Sequence, residues 1–114
     1  GYFTKFGDGA ADLTPIISLY KLQIREIAKY LGVPDNIISK KSSPHLWEDH
    51  EAEEELGGSY EEIDSILYCL VEKKLSVDET VKITQIDKST IEKIHELNRN
   101  SEHKRLPAQK PDRE

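Results

Sequence analysis

Three times between residues 59 and 92 a serine is followed three places later by a glutamate: Ser59 with Glu62, Ser76 with Glu79, and Ser89 with Glu92. That spacing is a helix start. The serine hydroxyl accepts from a free backbone N–H of the first turn, and the glutamate reaches back to the serine's own N–H. Each start leads into apolar residues at helical intervals: Ile63, Ile66, Leu67 and Leu70, then Val77 and Val81, then Ile91, Ile94 and Leu97. The spacing predicts three successive helices, the first ending near Lys73 and the last two joined by a tight connection over 84–88. Residues 59–100 therefore read as a helical region around one small core.

Upstream, Ile24, Ile27, Ala28 and Leu31 share one helical face, so 21–31 is predicted to be a helix. Gly32 supplies its left-handed cap, and Pro34 opens a short second helix carrying Ile37 and Ile38. Before it, 12–17 ("DLTPII") is apolar and bounded by small residues, and reads as one short strand. Pro15 has no N–H to give, which confines that strand to a sheet edge. A lone strand is unstable, so its partners are expected outside this sequence or in another chain. Over 40–58 the periodicity is lost and a long loop is expected; loops of this length are either disordered or functional, and Leu46 and Trp47 supply an apolar anchor that a mere linker would not need. The tail 101–114 mixes charge and proline and is expected to be flexible unless a ligand or partner orders it.

The 114 residues suffice for one core, not two. A net charge of −6 opposes broad binding to a phosphate backbone, so nucleic acid is not an expected partner. The chain contains no apolar run near the ~20 residues of a membrane span. Its single cysteine, Cys69, rules out an internal disulfide. A reducing, cytoplasmic setting is expected. The chain has no methionine and starts at Gly1, so it is expected to be cut from something longer.

Residues 76–98, with Lys88, Lys93 and Arg99, invite comparison with a helix-turn-helix. Against that, the second helix also carries Glu92 and Glu96, and the turn has no glycine. A helical hairpin packed on a core is the simpler reading. A small DNA-binding module and a non-catalytic dimerisation segment remain the alternatives to an enzyme. His45, His50, His95 and His103 show no metal-ligand spacing, and the acidic run 48–55 lacks the alternation of a calcium loop. Cys69, one place before Leu70 and with no cation beside it, reads as packing rather than nucleophile.

The opening "GYFTKFGDGAAD" carries more chemistry. Gly7 and Gly9 flank Asp8, which permits a tight turn and close approach of a ligand. Lys5 suits a phosphate or carboxylate, and Asp12 suits hydroxyls or an ammonium. Lys21 stands at a helix start, where free N–H groups already favour anions. The same lysines could equally be plain surface residues.

The run "GYFTKFGDGAAD", then "P-x-x-x-L-Y-K" with a helix ending "YLGVP", then "EELG-x-S-Y-E-E-ID" and finally "SEHKR" resembles the C-terminal part of ammonia-dependent NAD synthetase. The resemblance implies an α/β fold, a parallel sheet of the adenine nucleotide alpha-hydrolase type, of which this segment is a mostly helical part. It implies one C-terminal piece of a single domain, with strand, helices and active-site loop in 1–58, the helical region in 59–100 and the tail in 101–114. It implies a homodimer that uses ATP and Mg2+ to adenylate the nicotinate carboxylate of deamido-NAD, after which ammonia displaces AMP to give NAD.

By the same resemblance, Lys5, Asp12, His103 and Lys104 meet deamido-NAD, Lys21 and Ser43 meet ATP, and Asp8 takes the lesser part of steering ammonium. Ser43 and Trp47 belong to a loop that closes over the nucleotide. The family's "SGG-x-DS" phosphate loop and its magnesium-binding glutamate do not occur here, so the isolated segment is expected to be inactive. Residues 45–53 also depart from the family's "GLW-x-GQTDE", and Leu106 follows "HKR" where many members have a second arginine.

Overall fold

Ile66 and Ile91 lose all solvent contact, and the helices gather around them. The computed structural model describes residues 1–7, 9–43 and 51–107. Among the described residues the chain forms α1 (Lys21–Tyr30), α2 (Asp35–Ile38), α3 (Ala52–Leu56), α4 (Tyr60–Leu67), α5 (Val77–Thr84), α6 (Lys88–Asn100) and α7 (Glu102–Arg105). α4 widens into a π-helical turn over Tyr68–Glu72 before the chain leaves it.

Two of the three serine–glutamate starts form as expected. Ser59 Oγ accepts from Glu62 N while Glu62 Oε2 accepts from Ser59 N at 2.9 Å, and Ser76 with Glu79 repeats the arrangement. The third does not. Gln85 closes α5 in the left-handed conformation (φ 59°), and α6 begins at Lys88 with Asp87 at its N-cap, so Ser89 already lies inside the first turn.

The core joins Ile63 and Ile66 of α4 to Ile91 and Ile94 of α6, with Leu56, Leu67, Leu70, Val77, Val81 and Ile86 packed around them. α5 and α6 are thus a hairpin on a core. Two of the basic groups considered for DNA reading are engaged within the chain, Lys88 with Asp78 at 2.8 Å and Lys93 with the Glu55 carbonyl at 3.4 Å. Cys69 is buried, as a packing residue should be.

Three expectations are corrected. Residues 12–17 form no strand: among the described residues there is none, and Pro15 to Ser18 turn instead, with Leu19 N–H donating to the Ile16 carbonyl at 3.0 Å. Pro15 cannot donate to a ladder and the described chain has no strand to pair it with. Leu13, Ile16 and Ile17 stand exposed as a result.

The stretch 40–58 is not loop throughout, since α3 occupies Ala52–Leu56. Glu53, Glu54 and Glu55 fall in its first turn, where the helix dipole favours negative charge. Gly57, at φ 85°, then ends it, and a Cβ at that position would strike the Lys93 side chain. Finally, the start of the tail is helical as α7.

Candidate functional site

The opening segment and α7, far apart in sequence, are tied together by two lysines. Lys5 Nζ donates to the His103 carbonyl at 2.7 Å. Lys104 Nζ donates to the carbonyls of Phe3 at 3.0 Å and Gly1 at 3.2 Å. An ammonium has three N–H donors, so neither lysine is saturated by these bonds. His103 is exposed on α7, with Nδ1 3.0 Å from the Asn100 carbonyl.

A tight turn, described at residues 4–7 and at Gly9, presents Lys5. Gly7 and Gly9 N–H groups both donate to the Thr4 carbonyl. A Cβ on Gly9 would collide with the Lys5 carbonyl, so the close approach that glycine allows here is by the chain's own backbone rather than by a ligand. Asp12 lies exposed in a bend beyond the turn. Asp8 lies outside the described residues.

Lys21 is half-buried at the start of α1, with Nζ 5.6 Å from the centre of the Tyr60 ring. Arg25, one turn on, sits over the same ring at 5.3 Å. Both distances suit a cation on an aromatic face. The N–H groups of this helix start are not free for an anion, contrary to expectation: Leu22 N–H donates to Asp64 Oδ2 at 2.9 Å, and Gln23 Oε1 accepts from Tyr20 N–H at 2.9 Å. Asp64 is buried, which raises its carboxyl above the ordinary value, against the opposing pull of the Leu22 N–H and Arg25.

Between these parts lies a mainly apolar cavity of about 530 Å³. Tyr60 and Asp64 line it from α4, Leu97 and Asn98 from α6, Tyr2 from the opening segment and Lys104 from α7. At its rim the Tyr2 hydroxyl donates to Glu55 Oε2 at 2.6 Å, and burial together with that bond pushes the phenol up to about 12. Lys104 and the cation-bearing Tyr60 ring therefore face one space.

Ser43 is half-buried at the end of the first described stretch of the long loop. The loop is held at its base, where Ala52 N–H donates to the Ser42 carbonyl at 2.9 Å and Lys41 pairs with Glu51 at 2.6 Å. Residues 44–50, including Trp47, lie outside the described residues, as do 108–114.

The structure thus brings Lys5, His103 and Lys104 together and sets Lys21 on the Tyr60 ring, which lines the cavity with Lys104. Tyr60, Arg25 and Asp64 were not singled out from the sequence. One signal was present: Tyr60, Asp64 and Leu67 follow each other at helical spacing beside the Ile63 and Ile66 stripe, so a carboxylate sits on a face that should be apolar.

A family model described as NAD synthase matches residues 1–108. An NH(3)-dependent NAD(+) synthetase of Hyperthermus butylicus is 53% identical over 112 residues, covering 98% of this chain and 41% of that relative. One of Staphylothermus marinus is 51% identical over 106 residues, covering 93% of this chain and 38% of the relative. The solved structure of an NMN synthetase from Francisella tularensis superposes with a TM-score of 0.77 at 39% identity, covering 97% of this chain and 41% of that one. The chain spans about two fifths of the length of the relatives it matches.

Proposed function

The chain belongs to the NAD synthase family, and from that premise we propose that it carries the C-terminal share of an ATP-dependent, amide-forming ligase that makes NAD from deamido-NAD and ammonia. The observation that carries this reading is the pairing of Lys5 with His103 and of Lys104 with the opening segment beside one cavity. Two ammonium groups with N–H donors to spare suit the phosphates and carboxylate of a dinucleotide acid.

In the reaction, a nicotinate carboxylate oxygen attacks the α-phosphorus of ATP and pyrophosphate leaves. Ammonia then attacks the acyl carbon, loses a proton, and AMP leaves with the C–O electron pair. Lys21, reaching from α1, would meet the negative charge that builds on the departing pyrophosphate, with Ser43 and the long loop closing over the nucleotide. Lys5, Asp12, His103 and Lys104 would hold deamido-NAD, and Asp8 would steer ammonium.

Mg2+ accompanies ATP in this chemistry and shields its phosphates. Among the described residues no three His, Cys, Asp or Glu side chains gather to hold a metal ion, so these residues offer it no carboxylate cradle. The parallel sheet of the fold would come from the additional length the relatives have. The exposure of Leu13, Ile16 and Ile17 supports that reading. A cytoplasmic homodimer is part of the same proposal; among the described residues no helix is long and apolar enough to cross a membrane.

The solved neighbour is an NMN synthetase, which favours a second substrate, the mononucleotide acid that would give NMN, whereas the more similar sequence relatives carry the dinucleotide in their names. The test is a side-by-side assay of a protein of the relatives' length carrying this segment, with ATP, Mg2+ and ammonia, on deamido-NAD and on nicotinate mononucleotide. A higher kcat/KM for deamido-NAD, with AMP released one-for-one with NAD, supports the reading. Preference for the mononucleotide would move the protein to the second substrate, and amide formation from neither would end the ligase assignment. The 114 residues alone are expected to form no NAD.

A further inference from the structure

α1 and α4 are joined by two residues of each, one turn apart: Lys21 and Arg25 on α1, Tyr60 and Asp64 on α4. Both cations lie over the Tyr60 ring, and the Asp64 carboxylate holds the α1 backbone between them through Leu22 N–H at 2.9 Å. We propose that Asp64 is a positioning residue that pins the first turn of α1 to α4 and thereby holds Lys21 and Arg25 against Tyr60, whose ring lines the cavity. The proposal deepens the ligase reading and rests on it for the role given to Lys21.

A hydrogen bond from a backbone N–H fixes the turn more firmly than a flexible side-chain pair would, because it leaves Leu22 no rotamer to change. The bond is sheltered: Asp64 is only 9% exposed. No residue of α1 is fully buried: Leu22, Ile24 and Ala28 are half-buried and Ile27 is exposed. The polar clamp therefore supplements partial packing in orienting α1. It also decides how a polyphosphate is met. A carboxylate already at the helix start excludes a second anion from those N–H groups, so the phosphates must be taken by the Lys21 and Arg25 side chains. Arg25 thereby becomes a second phosphate-facing cation.

The test is NMR on the 114-residue chain. Lys21 and Arg25 side-chain protons over the ring should be shifted upfield, and Tyr60→Leu supplies the unshifted baseline. In Asp64→Ala these resonances should move towards that baseline and Leu22 amide exchange should rise about tenfold or more, while the Ile66 and Ile91 methyls stay put. Asp64→Asn keeps an acceptor oxygen and should keep the shifts. If the alanine variant loses its core resonances, Asp64→Leu fills the space without an acceptor and should behave as alanine was expected to. Unmoved Lys21 and Arg25 resonances in a folded variant without an acceptor would overturn the proposal.

A second arm uses a protein of the relatives' length. There Asp64→Ala should lower kcat with little change in KM for deamido-NAD, and should add nothing to the double variant Lys21→Ala, Arg25→Ala. If Lys21→Ala itself leaves turnover unchanged, the ATP role fails, whereas the resonances report on the clamp separately.

Discussion

The Lys104 ammonium donates to the Phe3 carbonyl at 3.0 Å, across 101 positions of the chain. That bond and its companion to the Gly1 carbonyl tie the opening segment to α7. Lys104→Met keeps the apolar stem and removes both bonds. Each hydrogen bond of this kind contributes about 0.5–1.5 kcal/mol, or more with a charged donor, but the loss should be local. Amide exchange of Thr4 and Lys5 should rise while the core amides of α4 and α6 keep their protection. Uniform loss of protection would mean that the contact holds the core as well.

Gly9→Ala should be more disruptive than its size suggests. The added methyl meets the Lys5 carbonyl, a backbone atom that cannot rotate away, so the Gly9 N–H to Thr4 bond should lengthen and the shifted Lys5 backbone should weaken the bond to the His103 carbonyl. In a protein of the relatives' length, KM for deamido-NAD should rise with KM for ATP unchanged. An unchanged KM for deamido-NAD would detach this turn from the dinucleotide.

Asp64 should leave a signature in the pH dependence of stability. Its carboxyl lies above the ordinary 3.8 because burial outweighs the Leu22 hydrogen bond, so the folded chain holds this proton more tightly than the unfolded chain does. The stability contributed by that proton is full below the unfolded value and is lost as pH rises through the folded one. Asp64→Asn cannot ionise. The difference in Tm, variant minus parent, should therefore move in the variant's favour between about pH 3 and about pH 7. A constant difference would contradict the raised value.

The helices were legible because their signals are local. Ser59 and Ser76 declare their helix starts within four residues, and the apolar stripes of α4 and α6 name most of the core. Ser89 misled because the same local pattern was pre-empted by Gln85 and Asp87, which start α6 earlier. The strand expected at 12–17 was a misreading of another kind, since a strand exists only with a neighbour and none is present among the described residues. α3 was hidden because an acidic run looks like solvated loop until the dipole that favours it is counted. In the site, lysines could be nominated from type and spacing. Which ring Lys21 rests on, and that Asp64 takes the N–H groups expected to greet phosphate, are tertiary facts that one strand of sequence does not display.

The central claim is that this segment contributes charge to an adenylating site, and Lys21 is where it is most exposed to disproof. The measurement is steady-state NAD formation from deamido-NAD, ATP and ammonia by a protein of the relatives' length, parent against Lys21→Ala. If the lysine meets the leaving pyrophosphate in the transition state, kcat should fall by about 10²–10³, equivalent to about 2.7–4 kcal/mol, with KM for deamido-NAD little changed. Equal turnover by the two proteins would contradict it.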